Sequence, residues 1–382
     1  MRKLSVFLGL AILAAGGLPS SAQDRVVQDK IFWKGERALT EGTVVSLNFF
    51  QIKYRLSSAG GEQEDFAKEV KDIEFDTDNP IVPYEFTHGV NAMNKGNHEE
   101  AVKQFEKAIS RIKQSNSPNH PLRDFCRKHI MESHMATGDP AAVEAAAREL
   151  RKEKPDSFFL RESFLMQYEA AKTRRNAALQ EATIKELDEV IKADRRFADQ
   201  LSRDAELLRA DMMETSKNFA GALNIYTKLG GDRDLWEGVS LGILRCQSAL
   251  GRTSDLKTKV ESLLLELKDR REKSPRVYLG ALIGQGDVNL AEGRIKEALL
   301  EYLKGALDPG SAGRTYEHET AIAKAAIAAA KYGKQFGEKD KTNKILYIDR
   351  AKDLRDELNR TFRASAWLTD VDAAIKDALQ GQ

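Results

Sequence analysis

The feature that most constrains this chain is an internal repeat of small and aromatic residues at fixed offsets. Three copies stand out: Gly89, Gly96, Ala101, Phe105 and Ala108; Gly286, Gly293, Ala298 and Tyr302; and Ala210, Phe219, Ala222 and Tyr226. Small residues of this kind lie where the two helices of a hairpin cross closely, and the aromatic residue fills the gap beside them. Gly96 and Gly293 fall at the predicted turn between the helices, where glycine tolerates positive φ. The pattern predicts stacked helix pairs that bury a continuous core between neighbours.

Weaker copies occupy the intervening segments. Residues 124–157 keep Gly138 at the turn, and residues 237–270 keep Gly251. The step from Ala222 to Leu256 is 34 residues, whereas the step from Ala101 to Val143 is 42, so some loops or helices are longer. Residues 158–200 and 314–363 read as helical pairs that match the repeat poorly, and a last helix should end near Leu379. We expect six or seven helix pairs in all.

The offsets resemble those of the tetratricopeptide repeat (TPR) family over roughly residues 82–363, closely in three units. The arrangement as a whole is similar to exported bacterial TPR proteins that carry a small β-module first. The resemblance implies a mainly α fold, a right-handed superhelix of antiparallel helix pairs. It also implies a binding scaffold in which the first helix of each pair lines a concave groove.

In the TPR family the fifth, ninth and twelfth positions of each unit's first helix face that groove. Here they are Phe86, Val90 and Met93; Lys128, Glu132 and Met135; Leu207, Asp211 and Glu214; Leu241, Arg245 and Ser248; and Ile283, Asp287 and Leu290. The set mixes apolar side chains with isolated charges and lacks the Lys/Asn clamp that holds a terminal carboxylate in some TPR domains. We therefore expect a protein or peptide partner with apolar anchors. The residues predicted to contact it are Phe86, Met93, Lys128, Glu132, Asp211, Arg245 and Asp287.

The first 22 residues have the three parts of a secretory signal. Arg2 and Lys3 precede an apolar run from Leu4 to Ala15, and small residues lead to a predicted cleavage after Ala22. The apolar run is shorter than the ~20 residues that span a bilayer. We expect export to the periplasm or cell envelope of a bacterium, with no integral membrane segment after cleavage.

Residues 23–78 have a different pattern from the rest. Phe50, Ile52, Tyr54 and Leu56 alternate with polar residues, which is the period of a strand with one buried face. A phase change between Phe49 and Phe50 predicts a turn or bulge, and Ser57–Asp65 reads as a polar loop. Four or five short strands suggest either a small SH3-like or Sm-like barrel or a β-meander docked on the first helices. Trp33, Phe49 and Phe50 are expected to form its core rather than an exposed ligand patch.

Charge and motif content exclude several classes of protein. Lys and Arg total 60 against 59 Asp and Glu, so the chain lacks the net basic charge of a nucleic-acid binder. Cys126 and Cys246 are too few for a disulfide scaffold, and the repeat register separates them, so we expect two buried, unpaired thiols. No nucleophile-elbow, zinc-protease or phosphate-loop motif is present in the sequence. We predict no catalytic residues, no cofactor and no metal.

These observations predict a signal peptide at 1–22, a β-unit at 23–78 and a TPR-like α-solenoid with a C-terminal helix at 79–382. The predicted function is a non-catalytic protein–protein interaction scaffold of the bacterial cell envelope. One alternative is an enzyme-accessory or carbohydrate-binding protein acting through the β-unit, which an exposed aromatic patch at Trp33 and Phe50 would favour. Another is a structural protein that self-assembles through its last helix. The solenoid should not need the β-unit to fold, unless the first helix pair uses that unit as a cap.

Overall fold

The computed structural model describes residues 28–35, 37–56, 61–174, 176–268, 271–310, 315–337, 340–362 and 365–380. The predicted signal peptide lies outside these residues. Within them the chain forms five strands followed by fifteen α-helices, as the mainly α prediction requires. The chain divides into two compact units, residues 1–170 and 171–382, which are described separately below.

Unit 1 begins with an antiparallel sheet. Its strands are β1 (Asp29–Trp33), β2 (Thr40–Leu47), β3 (Gln51–Leu56), β4 (Glu62–Phe66) and β5 (Val70–Glu74), in the order β4-β3-β2-β1-β5. The sheet is open, so the predicted barrel is not closed; β1 to β4 follow one another as a meander, and β5 returns to pair with β1. The predicted turn lies at Asn48, whose side-chain carbonyl accepts hydrogen bonds from the backbone N–H groups of Phe50 and Gln51.

The prediction of a loop over Ser57–Asp65 is wrong from Glu62 onwards, where β4 begins, and residues 57–60 lie outside the described part of the chain. The sequence Glu-Gln-Glu-Asp-Phe has little intrinsic β-propensity. The strand forms through its backbone ladder with β3, and two ion pairs accompany it: Glu64 pairs with Lys53 of β3 at 3.2 Å, and Asp65 pairs with Arg37, in the loop before β2, at 2.7 Å. Acidic side chains on an edge strand also discourage pairing with other chains.

The aromatic residues of the sheet are mainly structural. Trp33 and Phe49 are buried and Phe50 is half-buried. The indole N–H of Trp33 donates to the Thr40 hydroxyl at 2.8 Å, and the Arg37 guanidinium lies 3.5 Å from the centre of a Trp33 ring. The exposed patch that would favour carbohydrate binding is therefore absent at these residues.

The helices of unit 1 share one core with the sheet. They are α1 (Tyr84–Asn94), α2 (His98–Gln114), α3 (Leu122–Thr137), α4 (Pro140–Glu153) and the start of α5 (Leu160–Thr173). Phe75, just after β5, contacts Phe86 and Phe125 edge to face, with ring centres 6.4 and 5.0 Å apart. The Lys154 ammonium donates to the backbone carbonyl of Leu47 at 2.7 Å. The sheet thus covers the first two helix pairs as a cap rather than standing apart as a separate module.

Unit 2 continues the helix pairs. After the end of α5 come α6 (Ala177–Ala193), α7 (Arg195–Thr215), α8 (Phe219–Leu229), α9 (Trp236–Ala249), α10 (Thr253–Leu267), α11 (Pro275–Ala291), α12 (Ile295–Leu307), α13 (Tyr316–Lys334), α14 (Lys341–Thr361) and α15 (Leu368–Gln380). Successive helices from α6 to α15 pack against their neighbours, and α7, α9, α11 and α13 also pack side by side. We call the surface of these four helices the first-helix face.

The repeat residues have the contacts that the sequence predicts. A Cβ on Gly89 would lie 2.7 Å from the Phe105 ring, and one on Gly286 would lie 2.2 Å from the Tyr302 ring, so only glycine permits these crossings. The turn glycines Gly96 and Gly293 have φ of 76° and 78°. Lys217 occupies the same turn position between α7 and α8 and has a φ of 63°, so the turn keeps its left-handed conformation without glycine.

Small residues determine the packing elsewhere in the chain as well. Ala321, Ala325, Ala326 and Ala329 of α13 are fully buried against the neighbouring helices, so this Ala-rich helix packs closely. Both cysteines are free and buried, as predicted. They behave as small apolar core residues.

Candidate functional site

Most of the fifteen predicted groove positions have an intermediate degree of burial. Leu241 and Ile283 are buried, and the other thirteen are half-buried. Positions in a hydrophobic core would be uniformly buried, and positions on a free helix face would be exposed. The family offset therefore selects a surface at the boundary between core and solvent in both units.

In unit 1 the groove residues are packed and ion-paired among themselves. The Phe86 ring lies 5.9 Å from the Phe105 ring and 6.1 Å from His129. Lys128 pairs with Glu132 at 2.7 Å, and His129 lies 2.8 Å from the same carboxylate. Burial alone would raise the pKa of Glu132, but the hydrogen bonds from His129 and Lys128 outweigh it and hold the pKa below its ordinary value. This surface is a neutral, partly apolar strip rather than a pocket.

In unit 2 six of the predicted positions line one cavity of about 280 Å³ on the first-helix face. They are Glu214, Leu241, Arg245, Ser248, Ile283 and Asp287. Asp211 lies just outside, 3.7 Å from Arg245 and 2.5 Å from Lys172. The structure thus brings together residues from three repeat units that are far apart in sequence.

Arg245 lies at the centre of the first charged network in this cavity. Its guanidinium donates to both carboxylate oxygens of Glu214, at 2.5 and 3.0 Å, and lies 3.4 Å from Glu317 of α13. Arg276 donates to Glu317 at 3.0 Å from the other side. Burial opposes the charge on Arg245, but Glu214, with smaller contributions from Tyr226 and Glu317, outweighs it and raises the pKa of the guanidinium. The bidentate geometry is the strongest form of this pairing.

Asp287 lies at the centre of the second network. Its carboxylate accepts hydrogen bonds from Ser248 at 2.5 Å, from the Tyr302 hydroxyl at 2.6 Å and from Lys324 of α13 at 2.6 and 2.7 Å. Burial and the Asp287 charge both raise the pKa of Tyr302, so its hydroxyl stays protonated and donates. The two networks tie α13 to α9 and α11 across the cavity.

The predicted groove positions omit one wall of the cavity. This wall is formed by α13 and by the turn before α15. Tyr316, Glu317, Thr320, Lys324 and Trp367 all line the cavity. Residues 314–363 match the repeat poorly, so the predicted groove positions end at Leu290 and include none of them. Aligning Ala323 with Gly89 and Gly286 would have placed Thr320 and Lys324 at the fifth and ninth positions, and this signal is present in the sequence.

Two observations bear on other kinds of site. Among the described residues, no group of three or more His, Cys, Asp or Glu side chains is arranged to hold a metal ion. In the same part of the chain, no helix combines the length and apolar character needed to cross a membrane.

Comparison with known proteins identifies the fold. A crystal structure of a tetratricopeptide repeat protein from Parabacteroides merdae ATCC 43184 matches 78% of this chain and 99% of its own, with a TM-score of 0.50 and 10% sequence identity. The fold is TPR-like. No protein-family model and no curated protein sequence matches the chain. The similarity therefore concerns the arrangement of helices and not the side chains of the cavity.

Proposed function

We propose that this protein is a non-catalytic interaction scaffold of the bacterial cell envelope that binds a protein partner on its groove positions. The observation that carries the proposal is the convergence of six groove positions, from three successive first helices, on one cavity. The TPR-like fold supports a protein partner, because TPR proteins mostly act as binding scaffolds. The export signal predicted at residues 1–22 supports the envelope.

The chemistry of the groove favours recognition by shape and apolar contact. In the cavity, Leu241 and Ile283 are surrounded by charges that are already paired. Binding surfaces of this kind take most of their affinity from a few desolvated apolar anchors, while the polar rim sets orientation. A carboxylate-capturing site would instead present cations without anionic partners.

Capture of the partner by the full mature chain tests the proposal. The tagged protein is crosslinked in its native cells, the co-purifying protein is identified, and its affinity is measured with purified components. Arg245→Ala and Asp287→Ala should weaken binding by about 1–2 kcal/mol, since each removes a groove side chain and disturbs its neighbours. Both also break an internal ion pair, so binding is measured well below the melting temperature of each variant.

Arg203→Ala is the matched control. Arg203 is also in unit 2 and also forms an ion pair, with Asp232 at 2.7 Å, but it does not line the cavity. It should leave affinity unchanged. If Arg245→Ala and Asp287→Ala both bind as the unsubstituted protein does, the groove of unit 2 is not the binding surface.

Export is tested separately by the intact mass of the native protein. We expect the mature chain to begin at Gln23. A native chain that still carries Met1–Ala22 would contradict the export proposal and leave the binding proposal standing.

A further inference from the structure

Resting on the proposed function, we infer that the cavity of unit 2 holds one aromatic side chain of the partner, of the size of tryptophan, on an uncharged segment. The apolar part of the lining comes from Phe219, Leu241, Leu244, Ile283 and Trp367. These side chains come from α8, α9 and α11 and from the turn before α15, so they surround an occupant from several sides. Aromatic walls of this kind favour edge and offset contacts with another ring.

The volume of the cavity sets the size of the occupant. An apolar cavity of about 150 Å³ holds a benzene molecule, and sites for drug-sized ligands begin near about 300 Å³. The cavity here measures about 280 Å³. It is therefore larger than one six-membered ring requires and matches a two-ring side chain such as indole.

The charges around the cavity set the chemistry of the occupant. All five charged lining residues are in ion pairs with one another: Glu214, Arg245 and Glu317 in one network, and Asp287 and Lys324 in the other. A charged occupant would have to break one of these pairs and leave its partner desolvated, which is unfavourable. A neutral aromatic group needs no such exchange.

The floor and rim also suit a flat group with one polar atom. Gly280 and Gly284 line the cavity, and a Cβ on them would lie 2.5 Å from Leu241 and 2.7 Å from Val260. Glycine therefore lets α11 pack closely here and leaves backbone as the floor. In the lining, the Ser248 hydroxyl donates a hydrogen bond to Asp287, so its oxygen can accept a hydrogen bond from an indole N–H.

The inference is tested on the full chain without any knowledge of the partner. N-acetyl-L-tryptophanamide is titrated into protein labelled at the Leu and Ile methyl groups. N-acetyl-L-lysinamide and the α-amide of N-acetyl-L-glutamate serve as charged probes. We expect saturable binding of the tryptophan probe with a Kd of about 0.1–10 mM, as a ligand of this size allows. The methyl signals of Leu241, Leu244 and Ile283 should shift.

Two matched variants locate the site. Ala249 is exposed, lines the cavity and is the last residue of α9, so Ala249→Trp should block the cavity and weaken probe binding about tenfold or more. Ala291 is the equivalent exposed last residue of α11 and does not line the cavity, so Ala291→Trp should have no effect. Circular dichroism checks whether both variants fold. If Ala249→Trp does not fold, the methyl shifts of the unsubstituted protein locate the binding site instead.

Three results would overturn the inference: no binding of the tryptophan probe, equal binding of a charged probe, or shifts confined to methyl groups outside the cavity. None of them depends on partner capture. If the probe fails to bind while the partner still loses affinity in Arg245→Ala, the proposed function stands and the aromatic anchor is wrong. If the probe binds in the cavity while the groove variants capture the partner normally, the cavity does bind an aromatic group but the proposed function is wrong.

Discussion

Replacing Gly286 by alanine should destabilise unit 2 by about 2 kcal/mol, although alanine is the better helix former. The added Cβ would lie 2.2 Å from Cε1 of Tyr302. Carbon atoms in contact lie about 3.5–4.0 Å apart, so the ring would have to retreat by more than about 1 Å. Tyr302 is fully buried, and its hydroxyl is held by Asp287 at 2.6 Å, so the ring has no free space in which to move.

The magnitude follows from three contributions. Overpacking a filled core costs about 1–3 kcal/mol. A hydrogen bond to a charged acceptor contributes about 1.5–3 kcal/mol, and weakening this one costs about 1 kcal/mol more. The higher helix propensity of alanine offsets about 1 kcal/mol of this loss of stability. The net change corresponds to a fall in melting temperature of roughly 4–8 °C for a unit of this size.

Urea unfolding of the full chain, followed by circular dichroism, measures the change. Gly238→Ala is the matched control, because Gly238 is also in a helix and its Cβ would lie 3.2 Å from Cδ2 of Leu207, a mobile side-chain end. That variant should stay within about 1 kcal/mol of the unsubstituted protein. In a Tyr302→Leu background the cost of Gly286→Ala should shrink. A Gly286→Ala protein as stable as the original would refute the proposed crossing of α11 and α12.

Three further predictions concern the core. Burial lowers the pKa of His120 to about 4, whereas the pKa of a histidine in the unfolded chain is about 6.5. The free energy of unfolding should therefore fall as the pH drops from about 6.5 to about 4, by at most roughly 3 kcal/mol. Urea unfolding of His120→Asn should lack this pH dependence. Burial raises the pKa of Cys246 to about 12 and that of Cys126 further, so N-ethylmaleimide should leave both thiols of the native protein unmodified by intact mass. Phe75→Ala should cost about 3–5 kcal/mol and reduce hydrogen-exchange protection in both the sheet and α1–α4; loss in the sheet alone would contradict the shared core.

The sequence predicts the helical part of this fold well because the small and aromatic residues that determine helix packing recur at fixed offsets within the repeats. Gly96, Gly138, Gly251 and Gly293 all have positive φ at the turns where the repeat places them. Residue type alone does not identify every turn, since Lys217 adopts the left-handed conformation although lysine does not favour it.

Features that depend on distant partners were not predictable from local pattern. β4 is acidic and forms its backbone ladder with β3, where Lys53 lies opposite Glu64, while Arg37 pairs with Asp65 from the loop before β2. The sequence left open whether the sheet docks on the first helices, and the contacts of Phe75 with Phe86 and Phe125 show that it does. Glu317 and Lys324 of the cavity belong to α13, whose sequence matches the repeat poorly. The predicted groove positions therefore include cavity residues of α7, α9 and α11 but none of α13.

Site-specific photocrosslinking in native cells tests the central claim, that the groove positions bind a protein partner, most directly. A benzophenone amino acid is placed at Met93 and at Ala249 on the groove side, and at Leu265 and Leu307, which are exposed on α10 and α12. The proposed function predicts partner adducts from a groove position, Met93 in unit 1 or Ala249 in unit 2, and none from Leu265 or Leu307. Adducts from Leu265 and Leu307 with none from the groove positions would contradict it.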